Sequence, residues 1–307
     1  MGLDTRNKGS WAIPRLHKRI PSQGTAFEKA SAQLRSVQKQ LPVRAISLWD
    51  AEKGCAPFLL ATANIPPDKV IRLRPNLNLA GPRGPYKGRG RYPVHGDKFK
   101  FKDLDTWREP DPSLEMNDPD LGMIQVKFWK DLHFRTATKC PMIVARLERL
   151  ESKGTRRLPK VIWVAGMGEE PPEPLTWGQR SMRRYTVDHG YRFAKQRLYW
   201  TMPMVSTPEQ GERWSDRMPR ITCVLWLARH IGMDKPWPWQ KNQTELTPGR
   251  VCQGMRDIFA EIDPPTQMPK PRGNAPSWPK GQQRTRRERF DGVKRHCSSP
   301  TKAVSAA

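Results

Sequence analysis

WGQRSMRRYTVDHGYRFAKQRLYW, residues 177–200, organises the rest of the chain. It contains no proline and many good helix formers, so a single helix is expected over its middle. At ~100° per residue, Ser181, Arg184, Asp188 and Lys195 fall within roughly 60° of one another on one face. Val187, Tyr191, Ala194 and Leu198 form the neighbouring apolar stripe, which is expected to face a core. One acid therefore stands between an arginine one turn before it and a lysine two turns after it. Opposite charge nearby keeps such an acid ionised at neutral pH. An ionised acid at the edge of a core suits a divalent cation, and the flanking Arg and Lys suit phosphate. On spacing alone, the commoner outcome is a solvated face whose ion pairs contribute little.

Working outward, the composition narrows the partners. The 307 residues suffice for one large domain or two small ones. The net charge of +25 is extreme and attracts polyanions, nucleic acid first and an acidic membrane surface second. No run is apolar and long enough to span a bilayer, and residues 1–11 lack the apolar region of a secretory signal. A cytoplasmic, nucleoid-associated protein is expected. Cys55, Cys140, Cys223, Cys252 and Cys297 are scattered, odd in number and without a C-x-x-C pair. They indicate neither a zinc ribbon nor a disulfide framework, and small core residues are the simpler reading. The 31 prolines imply short elements and many loops.

Upstream, residues 11–17 read as a short extended piece and 25–40 as a helix with Phe27, Ala30, Leu34 and Val37 on one side, ended by Pro42. Residues 43–49 read as a strand ending in Asp50. An acid at the carboxyl end of a buried strand is where α/β folds place chemistry; a turn or helix-cap acid is the plainer alternative. A short helix over 57–63 and a strand over 69–74 follow. Residues 75–91 are Gly-, Pro- and base-rich, with Arg83, Lys87, Arg89 and Arg91 interleaved. An exposed loop suited to phosphate contact and a solvated linker fit this composition equally. The KFKFK alternation within 95–107 reads as a half-exposed strand, DPSLEMNDPD as a loop, and 123–129, 142–147 and 161–165 as strands.

Downstream, Thr207-Pro208-Glu209-Gln210 carries the signature of a helix start, running to about residue 216. Further helices are expected over 221–231 and 247–262, with KPWPW at 235–239 as a turn. From 264 onward few aliphatics remain, so a disordered, polyanion-binding tail is expected, with Arg284, Arg286 and Arg287 in its densest basic cluster.

The helix at 177–200 resembles the signature helix of DDE transposases of the insertion-sequence-four type, which carries Tyr, Arg, Glu and Lys at Y-x2-R-x3-E-x6-K spacing. Arg184, Asp188 and Lys195 keep the spacing. Ser181 stands where Tyr is usual, and Asp188 where Glu is usual. The resemblance extends, in order, through SWAIP, the strand ending in Asp50, HGDKFKFKDLDTW, VIWVAG, RFAKQRLYWTMP, LTPGRV and MPKPRG. Together these look like the C-terminal two-thirds of a transposase of the insertion-sequence-seven-hundred-and-one group.

Such a resemblance implies a ribonuclease-H-like core in which Asp, Asp and Glu hold two divalent metals for DNA strand cleavage and transfer. Hard oxygen ligands select Mg²⁺, or Mn²⁺ in its place. The implied partners are transposon-end and target DNA and a second copy of the chain. Asp50 maps to the second acid and Asp188 to the third, both as catalytic metal ligands; Arg184 and Lys195 map to the basic pair that grips DNA phosphate. The first acid finds no counterpart, since only ten residues precede Trp11, so a chain lacking the family's N-terminal third is expected. Asp188 also sets its carboxylate back by ~1.5 Å, one C–C bond, relative to Glu. The expected organisation is α/β: a partial ribonuclease-H-like core over 1–74, a β-rich insertion over 75–172, signature and C-terminal helices over 173–262, and the disordered basic tail over 263–307. A non-catalytic DNA-binding remnant is the second expectation.

Overall fold

The computed structural model describes residues 2–3, 11–21, 23–86, 88, 90–118, 122–150, 159–169 and 173–262. The chain divides into a unit of Met1–Phe259 and a unit of Ala260–Ala307, and only the end of one helix is described in the second. The fold is mixed α/β, built on a six-stranded mixed sheet.

Two short strands, β1 (Gly2–Leu3) and β2 (Ala12–Ile13), pair antiparallel. Helix α1 (Ala26–Gln40) starts where the sequence marks it: Thr25 accepts from the Glu28 backbone while the Glu28 side chain accepts from Thr25 N–H. This reciprocal cap satisfies two amide groups that a helix start otherwise leaves open. The capping bonds also draw the Glu28 carboxyl below its usual range.

Next come β3 (Ile46–Trp49), α2 (Ala56–Thr62) and β4 (Asp68–Leu73), with β3 and β4 parallel. A parallel pair needs a crossover, and α2 provides it. At the amino end of this pair Arg44 clamps Asp68 through two hydrogen bonds of 2.8 and 2.9 Å and reaches Glu169 at 2.8 Å. Lys69 is buried, and its ammonium donates to the carbonyls of Ile65 and Pro67; burial pushes its pKa down.

Four of the six strands described within residues 75–172 continue the same sheet. β5 (Asn78–Ala80) and β6 (Lys98–Lys100) form a separate ribbon. β7 (Asp111–Asp118), β8 (Gly122–Leu132), β9 (Met142–Arg149) and β10 (Val161–Met167) join β3 and β4 in the order β3-β4-β10-β9-β8-β7, every pair but the first antiparallel.

Two expectations from sequence are corrected here. DPSLEMNDPD, expected as a loop, forms edge strand β7 over most of its length. Its register shifts between Asp111 and Leu114, around Pro112. Proline gives no ladder donor and is tolerated on an edge beside a bulge. Residues 78–80, expected within a loop, are the strand β5, with Leu79 and Ala80 buried.

The sheet buries both faces, because alternate residues of each strand serve opposite cores. One face gathers Ile71, Leu73, Val144, Trp163 and Ala165 beneath Phe58 and Leu59 of α2 and Phe99 and Phe101 of the ribbon region. The other gathers Val70, Ile124, Val126, Ala145, Leu147 and Val164 with Trp177.

The carboxyl-terminal part is helical. It comprises α3 (Trp177–Arg183), α4 (Tyr185–Gln196), α5 (Pro208–Ser215), α6 (Arg217–Ala228) and α7 (Pro248–Ile262). A third apolar cluster joins Trp11 to Leu225, Ala228, Val251 and Ile258. Trp11 Nε1 donates to Leu246 O at 2.8 Å, which seats the SWAIP segment among these helices. No helix of the described residues is long and apolar enough to cross a membrane.

The His95–His133 pair links the ribbon to the end of β8, with ring nitrogens 3.1 Å apart. His133 is buried, and burial, aided by its imidazole neighbour, holds its pKa below the usual histidine value. The unfolded chain therefore takes up the proton at higher pH than the folded one, so stability falls as pH drops below the unfolded histidine pKa of about 6.5. A series of thermal melts between pH ~7.5 and ~5 should show this loss, and His133→Gln should flatten it. An unchanged slope in the variant would locate the loss in other groups.

Candidate functional site

The helix expected over 177–200 is two helices. The chain makes a turn at Arg184, between α3 and α4. It also stops early: α4 ends at Gln196, and Tyr199 takes a left-handed φ of 55°, which a helix cannot continue through. The buried seam is rotated from the expected stripe. Ala194 is buried and Phe193 packs on the third cluster, whereas Tyr191 is 42 % exposed and stacks on Trp200. Gly190 explains the rotation: a Cβ there would lie 3.2 Å from that of Ala12, so β2 approaches α4 along the glycine side.

The basic–acidic face survives the break. Arg184 contacts Asp188 at 3.4 Å, with the Arg side chain 18 % and the Asp 49 % exposed. Lys195 is exposed on the last turn of α4.

Asp50 follows directly on β3. The register pairs Leu48 with Val70 and Trp49 with Ile71, so its continuation sets Asp50 beside Arg72. Leu48 and Val70 serve the core that contains Trp177, and alternation turns Asp50 and Arg72 to that same face. From there the Arg72 guanidinium reaches the Tyr185 hydroxyl at 3.4 Å, at the start of α4. Strand β4 and the start of α4 are thus joined through Arg72 and Tyr185. The Asp50 Oδ1 atom is buried and has no hydrogen-bond partner. Buried carboxylate oxygens are ordinarily paired or bound to a cation, because leaving one unsatisfied is costly. The donor set offered by Asp50 and Asp188 is hard oxygen, which fits Mg²⁺ or Mn²⁺. Among the described residues, no group of three or more His, Cys, Asp or Glu stands where it could hold a metal ion.

Of the basic loop, Arg83 and Arg91 are exposed. Arg83 lies over the Tyr92 ring at 5.3 Å, and Tyr92 stacks on Tyr86 at 5.1 Å. Lys87 and Arg89, and Arg284, Arg286 and Arg287 with the rest of the tail, lie outside the described residues.

Sequence reasoning missed Arg72 and Tyr185, which lie 113 residues apart and meet only in the fold. It also missed a second basic site. Arg197, at the end of α4, shares an open pocket of about 410 Å³ with Gln240, Lys241, Gln243, Thr247, Gly249, Arg250 and Gln253. The Thr247-Pro248 helix start and the lysines flanking KPWPW were the available clues.

No protein-family model matches the chain, and no curated protein matches it.

Proposed function

We propose that the chain is a DNA-binding protein of the DDE transposase kind, impaired in catalysis, in which Asp50 and Asp188 stand as metal-ligating acids of strand cleavage and transfer on a ribonuclease-H-like core. The observation that carries this reading is the buried, unpartnered Oδ1 of Asp50 at the carboxyl end of a parallel strand, on the sheet face that leads through Arg72 and Tyr185 to α4. A parallel β3-α2-β4 unit with its acid at the strand end and a second acid on a following helix suits that core.

The residues divide the work by charge. Asp50 and Asp188 would hold Mg²⁺ or Mn²⁺, and the bound ion would activate the attacking oxygen and stabilise the leaving one. Arg184 stands 3.4 Å from Asp188 and would face phosphate beside the bound ion. Lys195, Arg83 and Arg91 are further exposed cations that a duplex could use. A non-catalytic DNA-binding protein is the second reading, favoured by the finding that no group of three or more His, Cys, Asp or Glu among the described residues could hold a metal ion.

Both readings require binding through phosphates, motivated by the +25 charge. Each neutralised phosphate should add about −0.9 to the slope of log affinity against log salt on a duplex. Fluorescence anisotropy over a salt series measures the slope, and affinity indifferent to salt would contradict both. The first reading requires more. Mn²⁺ should tighten duplex binding by the wild-type chain, and Asp50→Asn and Asp188→Asn should each remove that increment. An increment that persists in both variants would place the metal elsewhere.

A further inference from the structure

The pocket between α4 and α7 adjoins an aromatic surface for which the cleavage chemistry has no use. Residues 235–241 read Lys-Pro-Trp-Pro-Trp-Gln-Lys. Gln240 N donates to Trp237 O at 2.8 Å, and Gln240 Oε1 accepts from Trp237 N at 3.0 Å, which closes a tight turn. Pro236 and Pro238 restrict the backbone further. The turn displays Trp237 and Trp239 stacked nearly parallel, 5.7 Å between centroids and 5° between planes. They are 50 % and 78 % exposed, so the outer face of Trp239 is open to solvent. Large aromatic rings held rigidly in water at this exposure point to a flat ligand.

The next two residues, Gln240 and Lys241, line the pocket. Arg197 and Arg250 add cationic side chains, and Thr247 and Gly249 bring the first turn of the fifteen-residue α7 to its wall. Arg250 is 7 % exposed; its Nη2 donates to Lys241 O, and its Nη1 faces Asp234 Oδ1 at 3.3 Å without making a hydrogen bond. Asp234 offsets one of the three cations and is itself tied down by Gln243 N at 2.7 Å. Arg197 and Lys241 keep the pocket positive. Gln253 Oε1 is a further buried wall atom without a partner. A Cβ on Gly249 would meet nothing within 4 Å, so the helix start is open to a ligand. Pro248 has no amide hydrogen, and Arg250 N and Val251 N bond to Thr247 O, so the converging guanidinium and ammonium groups are what favour an anion here.

We propose that the 235–241 turn and this pocket form one subsite for unpaired DNA, a base stacking on Trp239 and the adjoining phosphate entering the pocket. The subsite rests on the DNA-binding reading and adds a preference for single strands, since a base inside a duplex cannot offer its face to an indole.

The test compares a labelled oligo(dT) strand with a labelled duplex of equal length, by anisotropy, on the full-length chain. Trp239→Ala should weaken oligo(dT) binding by about 5- to 150-fold while leaving duplex affinity within about twofold. Trp239→Phe should retain most of the binding, and Lys241→Ala should reduce the single-strand salt slope by about 0.7. Circular dichroism of Trp239→Ala should match the wild type, because the side chain is mostly solvated. Wild-type affinity for oligo(dT) in Trp239→Ala would overturn the subsite, as would an equal loss on both ligands. If duplex binding stays salt-dependent while Trp239→Ala has no effect, only the subsite falls. If the wild-type chain binds neither ligand, the DNA-binding reading falls with it.

Discussion

Trp177→Ala is expected to destabilise the protein by about 3–5 kcal/mol, the range for emptying a large buried aromatic site. Trp177 has no exposed surface and packs among Val70, Val164 and the other residues of one sheet face. Its seat is built for it: a Cβ on Gly166 would overlap the indole ring, so the absence of a side chain on β10 admits the tryptophan. This contact holds α3, and through it the start of α4, against β4 and β10. Gly166→Leu should therefore destabilise as well, by overpacking rather than by a cavity. Urea unfolding followed by circular dichroism measures both. On the proposed reading the alanine variant should also lose the Mn²⁺-dependent increment in DNA binding, because α3 and the start of α4 would lose their seat on the sheet. A cost below about 1 kcal/mol would mean that α3 is not seated on the sheet in solution.

The elements that sequence marks by local chemistry are found where it marks them. Thr25 with Glu28 caps α1, and Thr207 accepts from Gln210 N at the start of α5. Thr247-Pro248 begins α7. Strands β8, β9 and β10 follow runs of alternating or continuous apolar residues. What sequence hides is set by tertiary contact. Prolines and acids around Leu114 and Met116 mask β7, whose strand character depends on pairing with β8. The rotated seam of α4 follows from how β2 approaches Gly190, about 180 residues away in the chain. For the site, the strand-end position of Asp50 and the spacing of Arg184, Asp188 and Lys195 are local and readable. The bridge from Arg72 to Tyr185 and the meeting of Arg197 with Lys241 and Arg250 are long-range, and no periodicity encodes them.

The largest functional effect expected is an absence. Among the described residues no group of three or more His, Cys, Asp or Glu stands where it could hold a metal ion, and Mg²⁺ keeps its waters and needs anionic ligands to fix it. Asp188 is a methylene shorter than the glutamate of the resembled helix, and a displacement near 1 Å can lower a rate by ~10²-fold. The chain alone is therefore expected to bind DNA without cutting or joining it. Incubating the purified chain with supercoiled plasmid and Mn²⁺, the more permissive ion, tests this most directly. The predicted result is retarded plasmid that remains supercoiled. Nicking that disappears in both Asp50→Ala and Asp188→Ala would contradict it, and would mean that another acid, from this chain or a second copy, completes the site.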